Sequence, residues 1–291
     1  MTKYSLVGRR SEEGGWTGVS RFDLMLRRVF PEIKSITPAE IPMTFKTGDL
    51  VITDNHLVLT IPDEIEAIVV HHGCAATHYE RDPLWRNHAT ARMVADQMLM
   101  TRERKARTIF WAPSAWVADE FSRHNPDWMR EVVVCPNWVE PMDLSRWADS
   151  ILEQKIIIGD WRDANKGSHI WKRIASKAPA GWKFEPLEFR DQATKEKQYG
   201  LASVYLCLSL SEGGAYSVSD AEAAGLPIVT TDVGNYREFS DSIVIPWQER
   251  ENPGVVLPAI EKALTIGRRP NNWYTGVTFS HWAQIWREAT A

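Results

Sequence analysis

Short apolar runs alternate along this chain with longer stretches in which apolar residues recur every three or four positions. The runs YSLVG, DLVIT, EAIVVHH, RTIFWAP and EVVVCP fill the first half, and KIIIGD, VYLCLSL, PIVTTD and SIVIP the second. Continuous apolar runs of this length suit buried strands, and their alternation with amphipathic segments predicts strand-helix-strand units built on parallel sheets. The expected class is α/β. Between the two sets lies PNWVEPMDLSRWADSILEQ, residues 136–154, with two prolines followed by a polar, Trp-containing stretch. It reads as a linker. Apolar runs resume at Lys155 like a fresh first strand, which places a boundary at 145–153 and predicts domains over 1–148 and 149–275. The closing FSHWAQIWREATA sets Phe279, Trp282, Ile285 and Trp286 at near-helical spacing and predicts a short amphipathic helix within 276–291 that needs a surface to pack on.

Composition narrows the picture. A chain of 291 residues with 44% apolar and 25% charged residues can bury a proper core, and its length favours two domains. The formal net charge of −4 gives no global attraction for phosphate backbones or anionic membranes, so such a partner would need a local patch. Cys74, Cys135 and Cys207 are far apart and lack metal-site spacing, which predicts free, buried thiols and a reducing, cytoplasmic setting. The N-terminus shows no secretory h-region, and no window reaches the ~18 apolar residues of a membrane span. The fourteen Trp read as packing residues that supply large apolar area.

The stretch SEGGAYSVSDAEAAGLPIVTTDVG, residues 211–234, carries the chemistry. VYLCLSL before it is a buried strand, residues 211–217 form a turn of small residues, and good helix formers follow until Gly225 and Pro227. Amides at such a helix start, with those of the loop, can hold a phosphate or diphosphate. Gly213, Gly214, Ala215, Tyr216 and Ser217 are the candidates here. Glu212, at the carboxyl end of the strand, can accept hydrogen bonds from a polyol, and Asp220, one or two helical turns on, can reach ribose hydroxyls. A Gly-rich turn alone is better explained by an ordinary strand-to-helix connection with one capping and one solvent-facing acid, since such loops are common.

SEGGAYSVSDAEAAGLPIVTTDVGNYREF resembles the donor-site signature of retaining glycosyltransferases of the GT-B fold, in particular the large family four group. Glu212 matches the first acid of that pattern and Asp220 the second, shortened from Glu, with AEAAGLPIVTTDVGN continuing in register; Gly214 and Ala215 replace an aromatic-Gly pair. IIIGDWRDANKGSHIWKRIA is similar to the family's diphosphate-lining segment, with Gly159, Arg162, Lys166 and Gly167 as matches in a loop one residue longer than usual. EEGGWTGVSRFDLMLRRVF resembles the glycine-rich first loop, where Gly14 and Gly15 would bring amides toward donor or acceptor. IVVHHGCAATH resembles the segment that carries a His near the reaction centre, matched here by His72 in preference to His71; the two end a buried strand, so at least one must leave the core. VITDNHL, RTIFWAPSAWVADEFSRH and VVVCPNWVEP are similar to further segments of the first domain, which is shorter than usual, and FSHWAQIWREA resembles the final helix.

The resemblance implies two Rossmann-like domains with parallel sheets facing across a cleft and a C-terminal helix crossing back to the first. It implies transfer of a hexosyl group from a UDP- or GDP-sugar, without metal or other cofactor, to a hydroxyl acceptor in glycan or glycoconjugate synthesis. Glu212, His72, Lys166 and Arg162 would act at the reacting sugar and diphosphate. The sequence shows no D-x-D, HExxH, GxSxG, P-loop or GxGxxG pattern that would support other chemistry. Arg102, Arg104, Lys105 and Arg107 form a basic run, with RFDLMLRRVF as a basic-apolar companion. That run reads either as a solvated face or as a contact for an anionic inner-membrane surface or nucleic acid. Two alternatives stay open: a glycosyltransferase acting on modified DNA bases, and a non-catalytic sugar-nucleotide-binding protein of the same fold.

Overall fold

The computed structural model describes residues 2–6, 18–41, 45–99, 106–126, 132–147, 154–188, 191–239, 241–269 and 278–291. Its strands form two sheets. In the first, β1 (Lys3–Leu6), β2 (Lys34–Ile36), β3 (Leu50–Asp54), β4 (Glu66–Val70), β5 (Thr108–Ala112) and β6 (Val132–Val134) run parallel in the order β2-β1-β3-β4-β5-β6. In the second, β7 (Lys155–Gly159), β8 (Trp182–Pro186), β9 (Val204–Cys207), β10 (Ile228–Thr231) and β11 (Ile243–Ile245) are parallel in the order β11-β10-β9-β7-β8. The α/β class follows directly. Every expected run contributes a strand, and β2 and β8 are additions. Both lie at sheet edges with partly exposed residues such as Lys34 and Lys183, so they lack the apolar continuity that marks their neighbours.

Packing divides the chain into one unit of Met1–Trp138 with Val277–Ala291 and a second of Val139–Gly276. This division falls ahead of the one read from the prolines, because the segment after Trp138 is packed rather than loose. Met142 and Leu144 are buried in the second unit's core, and the Trp147 indole covers Gly200 so closely that a Cβ there would strike the ring. Trp138 belongs with Phe279, their ring centroids 5.0 Å apart.

The first unit's core is centred on β3, β4 and β5, the last of these buried along its whole length. The helix Phe279–Ala289 completes it, with Trp282 and Trp286 fully buried. Trp286 stacks on Trp111 at 3.8 Å between centroids, and both helix tryptophans meet Phe22 edge-on. Phe22 lies on the helix Gly18–Val29, which carries the basic-apolar companion segment. The arginines of that segment are engaged: Arg27 Nε bonds Asp23 at 3.1 Å, and Arg28 sits over the rings of Trp138 and Phe279.

The second sheet is apolar on both faces. Along β9, Tyr205 and Cys207 point into one cluster and Val204 and Leu206 into the other, the period-two alternation of a strand covered by helices on each side. The chain leaves β7 toward β8 on one side and returns to β9 on the other, so the two crossovers diverge and leave a crevice beyond the carboxyl ends of β7 and β9, the switch point where open α/β sheets take ligands. Cys74, Cys135 and Cys207 are free and buried. Among the described residues, no helix is long and apolar enough to cross a membrane.

Candidate functional site at the switch point of the second sheet

The strand ends at this switch point bring together segments 46 residues apart. At the end of β7, Gly159 must be glycine for a packing reason: a Cβ would collide with the Leu206 carbonyl oxygen of β9 and with the Trp161 ring. Asp160, the next residue, is buried and gathers two cations. Its carboxylate accepts from Arg162 Nε and Nη2, both at 2.8 Å, and lies 3.1 Å from Lys166 Nζ. Lys166 Nζ in turn donates to Glu212 Oε1 at 2.7 Å. Ser209 Oγ donates to the same oxygen at 2.8 Å, which fixes the carboxylate from its strand side. Arg162, Lys166 and Glu212, expected from sequence, are therefore one cluster, with Asp160 at its centre.

The two loops are stitched by groups not singled out from the sequence. Asn165 Nδ2 donates to the Ser211 carbonyl at 2.9 Å while its Oδ1 accepts from Ser211 N at 3.1 Å, so one amide side chain pairs with a backbone residue as a strand would. Arg250, only 4% exposed, donates to the carbonyls of Asn165 and Leu208 at 2.8 and 2.7 Å. Positive φ falls at Gly167 (89°) and Gly234 (65°), which flank the cluster. A Cβ on Gly234 would lie 2.8 Å from that of Glu212, so conformation and space both require glycine there.

Electrostatics follow from this pairing. Burial alone would lower the pKa of Lys166, but the Glu212 and Asp160 carboxylates outweigh it and hold the value above the ordinary lysine range. Arg162 behaves alike: burial opposes its charge, and the bidentate bond to Asp160 raises its pKa. Burial, with Glu212 nearby, raises the Cys207 thiol, and burial raises the Tyr205 phenol, so both stay protonated.

The loop that follows Glu212 leads through Gly213, Gly214 and Ala215 into the helix Tyr216–Ala223, with Ala215 as N-cap. Its first turn includes Tyr216 and Ser217 and stands on two buried tyrosines: Tyr199 Oη donates to the Ser217 carbonyl at 2.9 Å and Tyr205 Oη to Ser217 Oγ at 2.8 Å. Asp220 is set apart from Glu212. It is 1% exposed and accepts from Lys195 Nζ at 2.7 Å, a pairing across 25 residues that no local pattern announces.

In the first unit, His72 follows β4 and its Nε2 lies 2.9 Å from Asp54 Oδ1 at the end of β3, with Phe22 edge-on at 5.4 Å. His71 takes the opposite side, buried between Phe110 and Phe121. Gly14 and Gly15, and Arg102, Arg104 and Lys105 of the basic run, lie outside the described residues. Arg107 is exposed beside β5.

The architecture is shared with solved glycosyltransferases. Sucrose-phosphate synthase from Thermosynechococcus elongatus aligns over 100% of this chain and 95% of its own, with a TM-score of 0.67 at 12% identity. Anabaena HepE, solved with UDP and glucose, aligns over 100% of both chains with a TM-score of 0.66, also at 12% identity. WaaG, a glycosyltransferase involved in lipopolysaccharide biosynthesis, covers 99% of this chain and 95% of its own, with a TM-score of 0.61 at 14% identity. No protein-family model matches the sequence, and no curated protein matches it. At these identities the likeness extends to the fold, two parallel-sheet Rossmann-like domains of the GT-B type.

Proposed function

We propose that the protein is a glycosyltransferase whose second unit holds a nucleoside-diphosphate sugar at the switch point. The observation that carries this reading is the Lys166–Glu212 contact, which sets a fixed ammonium and a sugar-reading carboxylate side by side at the ends of β7 and β9. The neighbours add support: HepE has been solved with UDP and with UDP-glucose. A UDP- or GDP-sugar is the donor class, and the acceptor is a hydroxyl of a glycan or glycoconjugate.

In this reading Arg162 and Lys166 meet the diphosphate as its charge grows in the transition state, with amides of residues 213–217 and the Gly159 loop beside them. Glu212 accepts hydrogen bonds from the sugar hydroxyls through Oε2, since Oε1 is occupied by Lys166 and Ser209. Transfer retains configuration without a metal: the bond from the anomeric carbon to the diphosphate oxygen breaks, the acceptor oxygen bonds to that carbon on the same face, and its proton passes to the leaving phosphate oxygen. His72, held by Asp54 in the first unit, is the residue that the family resemblance assigns to the reaction. Asp220 is 1% exposed and pairs with Lys195 through Oδ1, so it is assigned to holding Lys195 in place rather than to the ribose contact expected of it.

Thermal-shift titration with UDP, GDP, ADP and their sugars tests the reading, since a ligand that binds only the folded state raises the melting temperature. One nucleotide should give a shift independent of magnesium, reduced in Lys166→Ala and Glu212→Gln. In a transfer assay Lys166→Ala should lower turnover by about a hundredfold or more. No shift with any donor would overturn the enzyme reading and favour a scaffold role, and a salt-dependent affinity for duplex DNA would redirect the acceptor.

A further inference from the structure

The cations of this site are paired with carboxylates of the chain itself. Asp160 has a side chain only 4% exposed, yet it binds Arg162 through both oxygens and touches Lys166, which also binds Glu212. The two cations thus face the carboxylates of Asp160 and Glu212, with the Asp163 charge acting on Arg162 as well. A site built only to attract a diphosphate would leave its cations unmatched. Here an incoming diphosphate must compete with a buried anion that is prepositioned and poorly hydrated, where charge interactions are stronger than in bulk water. The raised pKa values of both cations reflect the same hold.

We propose that Asp160 is a positioning residue that lowers affinity for the diphosphate, so that the nucleoside diphosphate leaves readily after transfer. Its carboxylate holds Arg162 and Lys166 in place when the site is empty. On binding, Arg162, whose side chain is 47% exposed, exchanges its bidentate bond for phosphate oxygens, while Lys166 stays clamped against Glu212. When the sugar has gone, Asp160 reclaims the guanidinium and competes the product off. This inference rests on the donor-site reading above and adds a role that the reading does not require.

The sign of the effect separates it from a structural role. Asp160→Asn keeps size and shape but removes the charge, and should tighten binding of UDP, GDP or ADP, whichever the wild type prefers, by about tenfold at low salt. In a transfer assay KM should fall together with kcat, because release becomes limiting. Asp160→Glu, which keeps the charge, should not share the tightening seen in Asp160→Asn, and Asp160→Ser should show it even where Asp160→Asn folds poorly. Isothermal titration with those nucleotides and with inorganic pyrophosphate reads all arms. A wild type that binds a nucleotide while both neutral variants bind it equally or more weakly overturns the role of Asp160 alone. Failure of every probe to bind wild type and variants overturns the donor-site reading, and this inference with it.

Discussion

Asp220 and Lys195 show how far a residue's environment can depart from its motif. In the sequence Asp220 reads as a ligand-facing acid, but it is 1% exposed and meets Lys195, whose side chain is 10% exposed, at 2.7 Å. A buried ion pair gains little over an apolar pair of the same volume, whereas removing one member leaves the other charge in the interior without its partner's compensation. Asp220→Ala should therefore cost about 3–5 kcal/mol in urea denaturation, and Asp220→Leu with Lys195→Met should recover most of it. A loss under about 1 kcal/mol for the single variant would mean that Lys195 finds water or another partner without strain. The same residue scale explains what could not be read in advance. Glu212, Arg162 and Lys166 were legible because they stand at strand ends in a recognisable order; Asp160 and Ser209 pair only two to six residues along but carry no pattern of their own, and Asn165 acts through Ser211, 46 residues away. Spacing along a chain carries no record of such pairings.

At the scale of elements, strands announced themselves wherever both faces are covered, and β2 and β8 escaped because their outer positions admit charge. The site's position was legible to the same degree: the parallel rhythm implied an open sheet, and the order β11-β10-β9-β7-β8 then puts the crevice between β7 and β9. The end of β4 illustrates the limit. Two adjacent histidines must point to opposite sides of a strand, yet only the packing decides which is buried. His71 is the one enclosed, and burial, aided by the neighbouring His72, pushes its pKa from the usual 6.5 down to about 3. Between those values the unfolded chain takes up a proton that the folded chain refuses, so stability rises with pH and is fully present above about 6.5. The slope contributed is at most about 1.4 kcal/mol per pH unit. Urea midpoints measured from pH 4.5 to 7 should show His71→Phe losing that part of the wild-type slope; an unchanged slope would place the proton uptake elsewhere.

At the scale of the molecule, the chain ends in the unit where it began. Residues 139–276 form the second unit, and the final helix Phe279–Ala289 supplies Trp282 and Trp286 to the core of the first. Its amphipathic spacing was plain in the sequence, but the surface it covers was not, because that surface is assembled from Phe22 and Trp111, nearly 90 residues apart from each other and farther still from the helix. This has a consequence for where a lesion is felt. Trp286 is fully buried and stacks on Trp111, so Trp286→Ala removes a large side chain from a site with little room to collapse, a change that costs about 3–5 kcal/mol. Because its contacts are with Phe22, Trp111 and Trp282 of the same unit, the loss should appear as faster amide exchange in β4 and β5, with β7 and β9 unchanged. Hydrogen exchange followed by mass spectrometry distinguishes the outcomes. Equal acceleration in both sheets would show that the two units open as one cooperative body, and the last helix would then stabilise the second unit as well as the core that it completes.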